Sequence, residues 1–160
     1  MNQVIIDRLN GGVPGAVLKS EEFRGDLTVT VTKAEIIRVC EFLKNDSELS
    51  FEMVIDVCGV DMYRPEGRYE VVYNLYSLKN KTYLRLKVQV EEEDPVVQSV
   101  TSVWPGANWH ERETFDMFGI KFAGHPDLRR MYMPEDFEYH PLRKDFPLAG
   151  IPDSMPLPRR

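Results

Sequence analysis

ERETFDMFGIKFAGHPDLRRMYMPEDFEYHPLRKDFP, residues 111–147, divides the chain in two. It opens as a charged helix and then continues with no helix or strand period. Asn108 is placed as its N-cap, with Glu111 at the capping-box position and Glu111 and Glu113 in the first turn. Arg112 and Asp116, four apart, can pair along one face, and Gly119 is the stop. Beyond that point the sequence is dense in Arg, Asp, Glu, His and aromatics and is interrupted by proline. Seven of the eleven prolines (126, 134, 141, 147, 152, 156 and 158) fall here, each removing a backbone donor and favouring extended geometry. Phe122, Met131, Tyr132, Met133, Phe137, Tyr139, Phe146 and Leu148 make the segment too apolar for a solvated linker. Its backbone groups are expected to find their partners on another protein, and the tail to be mobile without one.

Working back toward the N-terminus, the apolar periods describe a folded domain. Residues 2–9 suit a short helix ending at Gly11-Gly12, and DLTVTV (26–31) alternates as a strand does. Thr32 with Glu35 has capping-box spacing, and Ile36, Val39, Cys40 and Leu43 form the stripe of a helix ending at Asn45-Asp46. FEMVIDVCGV (51–60) reads as a buried strand, with 69–77 and 82–91 as two more around the turn 78–81. In the last, Leu84, Leu86, Val88 and Val90 face one way and Arg85, Lys87 and Gln89 the other. Asp94-Pro95 begins a helix in which Val96, Val97, Val100 and Val103 cover the sheet, closed by Pro105-Gly106. The expected fold is an α+β two-layer domain over 1–122, with a mixed or antiparallel sheet and helices on one face. An extended, Pro-rich tail over 123–160 follows it.

Composition narrows the function. The chain has 160 residues, 42% hydrophobic and 29% charged, as in ordinary globular proteins. A net charge of −6 speaks against nucleic acid as the main partner. No apolar run approaches the roughly 20 residues that span a bilayer, and MNQVIIDRLNGG lacks the pattern of a secretory signal. Cys40 and Cys58, both within apolar segments, are expected to be buried thiols, without the spacing of a zinc or iron–sulfur site. No Gly-rich phosphate loop follows a strand. Glu111, Glu113, Asp116, His125 and His140 could be offered as a metal or acid–base set, but i and i+2 glutamates point to different faces and neither histidine has a companion at ligand spacing. His125, Arg129 and Arg130, and further on Arg143, Lys144 and Asp145, read instead as charged contact residues.

In order and spacing, Glu111-Arg112-Glu113, Asp116, Met117-Phe118, His125, Arg129 and Met131-Tyr132, followed by PLRKDFPL (141–148), resemble one family. It is the C subunit of bacterial NADH–quinone oxidoreductase (respiratory complex I), which has a mitochondrial relative. The resemblance is free of gaps from about 109 to 148. It implies an assembly subunit of the hydrophilic peripheral arm that carries no catalytic residue, cofactor or metal of its own. FMN and iron–sulfur clusters would sit on other subunits of a complex that passes electrons from NADH to quinone and translocates protons. The implied partners are the D subunit and the nearby B subunit, on the cytoplasmic side of the bacterial inner membrane. Glu111, Arg112, Glu113 and Asp116 would then fix the helix end and the path of the tail. His125, Arg129, Arg130, Arg143, Lys144 and Asp145 would pair with the partner. Homologous subunits of membrane-bound nickel–iron hydrogenases or the photosynthetic NDH complex share the motif. A stand-alone metal-dependent hydrolase and a generic scaffold are the readings from other classes.

Overall fold

The computed structural model describes residues 1–147, and the last part of the tail, with Leu148, lies outside them. Helix α1 (Asn2–Gly12) is followed by β1 (Val17–Phe23), β2 (Asp26–Val31), a 3-10 turn (Lys33–Glu35) and α2 (Ile36–Asn45). Then come β3 (Met53–Asp61), β4 (Tyr69–Ser77), β5 (Thr82–Val90), β6 (Val96–Gln98), α3 (Ala107–Phe118) and β7 (Lys121–Ala123).

Five strands form a mixed sheet in the order β1-β2-β5-β4-β3, and β6 and β7 form a small parallel pair. β2 and β5 run parallel while the other neighbours are antiparallel. Leu84, Leu86, Val88 and Val90 are buried as their alternation requires, with Val71, Tyr73 and Leu75 of β4 beside them. Ile5 and Leu9 of α1 and Ile36, Val39, Cys40 and Leu43 of α2 close over this face. α3 packs on β3, where Gly59 allows close approach: a Cβ there would lie 2.7 Å from the Phe118 ring and 2.9 Å from the Thr114 methyl. Thr114 Oγ1 also donates to the Val57 carbonyl at 3.3 Å. The expected α+β architecture, with helices on one face of a mixed sheet, is the observed one.

Several local expectations are corrected. The 94–103 segment is no helix: β-branched Val96 and Val97 pair with Lys121 and Phe122, and Val100 begins a turn into Trp104. β1 carries no signal in the sequence, because LKSEEF shows no apolar alternation and is exposed throughout. Arg24 and Gly25, both at positive φ, nevertheless form the tight two-residue hairpin turn that joins it to β2. Thr32 precedes a 3-10 turn and makes no side-chain cap, leaving its buried hydroxyl without a partner among the described residues. β3 is buried on one face only, and Cys58 lies on the open face, so it is exposed whereas Cys40 is buried.

Candidate docking site for a partner protein

α3 begins at Ala107 after Gly106, with no side-chain cap, so neither Asn108 nor Glu111 acts as a cap. Glu111 falls in the second turn and points into the core, fully buried. Its Oε1 accepts the Val100 N–H at 2.7 Å and its Oε2 accepts the Ser99 hydroxyl at 2.6 Å. Burial pushes the carboxyl up to about 7, against the pull of those two donors. The buried His125 side chain stands 4.0 Å from Oε2. Its Nδ1 accepts the Asp127 N–H at 3.0 Å, which assigns the proton to Nε2, 3.1 Å from the Asn108 carbonyl. Glu111 and His125 thus hold the 99–101 turn and the first bend of the tail against α3.

Asp116, five residues on, is equally buried but receives a different set of donors. Its Oδ2 accepts the backbone N–H groups of Met131, Tyr132 and Met133 at 3.0, 2.7 and 3.1 Å, and its Oδ1 accepts Arg130 Nη1 at 2.7 Å. Burial alone would raise this carboxyl, but the four donors together hold it below the ordinary carboxylate value. Arg130 continues to the Tyr139 carbonyl at 3.2 Å. Arg112 does not pair with Asp116. It lies over the Trp109 ring at 4.8 Å and donates to the Arg129 and Arg130 carbonyls at 3.1 and 3.3 Å.

The tail then returns across the C-terminal end of α3. A helix leaves its last four carbonyls without intrahelical donors. Here Phe115 is served by the Gly119 N–H, Asp116 by His140 Nδ1 at 2.9 Å, Met117 by the Leu142 N–H at 3.1 Å and Phe118 by Arg143 Nε at 2.6 Å. Burial, and then the neighbouring Arg143 and Arg130, lower the His140 pKa, although its bond to the Asp116 carbonyl favours the charged form. Gly119 adopts φ +77°, and a Cβ there would meet Arg143 Nη2 at 2.4 Å and the His140 ring at 2.6 Å. A side chain there would strain the left-handed backbone and displace both of these groups.

A second anchor lies at the end of β3. Asp61 is gripped by Arg68 through two hydrogen bonds of 3.2 and 3.0 Å, and it accepts the N–H of Tyr63 and, from the tail, of Lys144 at 2.9 Å. Burial opposes ionisation, but Arg68 and the two N–H groups prevail and bring Asp61 down to about 2. Arg68 also meets Asp145 at 3.0 Å, and the Arg143 guanidinium lies 5.4 Å from the Tyr69 ring centre.

The expectation that residues 124–147 depend on another protein for their backbone partners is therefore corrected: their own domain supplies many of them. Arg130, Arg143 and Asp145 are engaged with the domain, whereas Arg129, paired only with the neighbouring Asp127 at 3.0 Å, and Lys144 are exposed. Glu113 is exposed and apart from both carboxylate networks. Of the five residues considered as one metal or acid–base set, Glu111 and His125 share one network, Asp116 and His140 the other, and Glu113 belongs to neither. Sequence reasoning missed Asp61, Arg68 and Ser99. The one available signal was a charged residue ending β3 and another immediately preceding β4.

Comparison with known proteins gives one consistent result. The model of the respiratory-chain NADH dehydrogenase 30 Kd subunit family matches residues 29–152. The C subunit of NADH-quinone oxidoreductase from Roseiflexus sp. (strain RS-1) is 54% identical over 93% of this chain and 86% of its own length. The corresponding protein of Geotalea uraniireducens is 45% identical over 97% and 92%. Among solved structures, the trypsin-resistant fragment (1–134) of Nqo5 has a TM-score of 0.63 and 34% identity, covering 79% of this chain and 97% of that one. A chain of an archaeal membrane-bound sulfane sulfur reductase complex shares the fold, with a TM-score of 0.77 at 23% identity over 92% and 86%. By sequence over most of its length and by fold, the chain belongs to the 30 Kd subunit family of respiratory-chain NADH dehydrogenase.

Proposed function

We propose that the chain is an assembly subunit of the peripheral arm of an NADH–quinone oxidoreductase. It offers residues 124–147 as a prefolded strap to a D-type subunit, with a B-type subunit nearby. One observation carries this reading: the strap is fastened to its own domain by backbone amides and by Arg130, His140 and Arg143, while several of its large side chains turn outward. Tyr132, Tyr139 and Leu142 are 56, 47 and 54% exposed, and Trp109 beside them is 61% exposed. Arg129 and Lys144 of the same segment are exposed as well. Aromatics and arginine around an ordered backbone suit an interface core, and prior ordering lowers the entropy lost on docking. In this role the chain contributes position, while FMN, the iron–sulfur clusters and electron transfer belong to its neighbours. Among the described residues no helix is long and apolar enough to cross a membrane, so attachment at the cytoplasmic membrane face would come through those neighbours.

Copurification after gentle membrane extraction tests the reading. A large assembly with a D-type subunit and NADH–quinone reductase activity is expected. The Arg129→Glu/Lys144→Glu variant should fold normally but enter that assembly poorly. Unchanged assembly in that variant contradicts docking through the strap, and recovery of the chain alone contradicts the subunit reading.

A further inference from the structure

The Glu111 carboxyl is out of solvent with two donors and, among the described residues, no guanidinium or ammonium group paired with it. Ser99, itself buried, leads away from it: Ser99 Oγ lies 2.6 Å from Glu111 Oε2 and 2.8 Å from Thr101 Oγ1, and it accepts the Thr101 N–H at 3.2 Å. Thr101 is partly exposed. A hydroxyl has one hydrogen and two acceptor sites, so this chain closes in either direction. With Glu111 ionised, Thr101 donates to Ser99 and Ser99 to the carboxylate. With Glu111 protonated, the acid donates to Ser99 and Ser99 to Thr101. Neither state leaves Ser99 unsatisfied. The other titratable groups facing the carboxyl offer no such path. His125, from the tail, has Nε2–H on the Asn108 carbonyl and Nδ1 on the Asp127 N–H. Cys40 of α2 and Tyr73 of β4 are buried, and burial raises both pKa values, so both stay neutral.

We propose that Glu111 is a proton-binding site connected to solvent through Ser99 and Thr101, so that its carboxyl loses and regains a proton while the domain stays closed. On loss, a water molecule or buffer base takes the Thr101 hydrogen, Thr101 Oγ1 takes that of Ser99, and Ser99 Oγ takes that of Glu111. Each hydroxyl breaks one O–H bond and makes another, so both end neutral with their hydrogen bonds reversed, and the carboxyl ends as the anion. The lift of this carboxyl to about 7 brings the exchange into the neutral range. The charge gained falls on the joint of the 99–101 turn, α3 and the first bend of the tail. Asp116 and Asp61, held low by guanidinium and N–H donors, stay ionised over the same range. The joint, and not the strap anchors, thereby responds to pH near neutrality.

Carbon NMR of the full-length chain, labelled at its glutamate carboxyls, tests this, with Glu111→Gln assigning the signal. Titration of that signal gives its midpoint, expected in the neutral range, and its line shape gives the rate of proton exchange. Thr101→Val, at a partly exposed position that does not touch the carboxyl, should slow exchange about tenfold or more with the midpoint nearly unmoved. Ser99→Ala should slow it about a hundredfold, the worth of a positioned proton-transfer group, and move the midpoint up through loss of a donor to the anion. Ser99→Thr, which keeps the hydroxyl, should retain the fast exchange. Thermal melts confirm folding, and Thr101→Val decides if the Ser99 variants do not fold. An unchanged rate in Thr101→Val overturns the relay, as does exchange in the parent chain no faster than opening at the Val100 amide. A Glu111 signal that titrates in the ordinary carboxylate range overturns the proton site itself.

Discussion

Glu111 and Asp116 lie on the same helix and both are out of solvent, yet their carboxyls are driven in opposite directions. Glu111 has a hydroxyl and a single backbone N–H, too little to offset desolvation, so it is pushed up to about 7. Asp116 has three N–H groups and a guanidinium, and it is held low. Burial alone therefore says little about a carboxylate. The number of donors aimed at it decides whether it serves as a neutral core group or as an anion that organises a loop. The inner knot at Glu111 joins two parts of the domain, whereas Asp116, with Asp61 farther along, fastens the outer strap.

The largest expected effect comes from Asp116→Ala, which leaves Arg130 and three amides without an acceptor. About 3 kcal/mol or more should be lost, read by thermal unfolding, and trypsin should cut at Arg129 and Arg130 far faster. If the strap stays resistant, the division of labour between the two carboxylates is wrong. Gly119→Ala should release the strap end, costing about 1–2 kcal/mol for the left-handed backbone and the displaced His140 and Arg143. Exchange at the Leu142 amide should rise while the Ser99–Val100 region stays protected.

Stability against pH sharpens the contrast. Asp61, lowered to about 2 from an ordinary 3.8, contributes roughly 2 kcal/mol that is present above pH 4 and lost as pH falls through 2. Glu111, raised from 4.5 to about 7, does the reverse. The unfolded chain loses that proton first, so stability declines by up to roughly 3 kcal/mol as pH rises from 4.5 through 7. Glu111→Gln should remove this neutral-range decline and leave the acid limb; a decline unchanged in that variant assigns it to another group. The smallest effect is Glu113→Ala, exposed and outside both networks, which should change stability by less than about 0.5 kcal/mol.

Strands with strict alternation, such as 82–90, were legible because one apolar face must be buried. The segment 94–103 was not, since its four valines fall at helical spacing, and only the pairing of Val96 and Val97 with the distant β7 overrides it. Glu111, Arg112 and Asp116 stood out by composition and resemblance, but their partners were not legible. Spacing gives all three local helical roles, whereas each reaches residues brought near by tertiary structure: Ser99 and Val100, the carbonyls of 129–130, and the amides of 131–133. The strap's own pattern offers no backbone pairing, so its sequence alone implies dependence on a partner. The donors and acceptors that hold it are single groups at helix and strand ends, which leave no periodic trace.

Amide hydrogen exchange on the isolated full-length chain tests the central claim most directly. With no partner present, the amides of Met131, Tyr132, Met133, Leu142 and Lys144 should be protected, and Asp116→Ala should abolish protection at the first three. Exchange at all five as fast as in an unstructured peptide would show that the domain does not hold the strap by itself, contradicting the account.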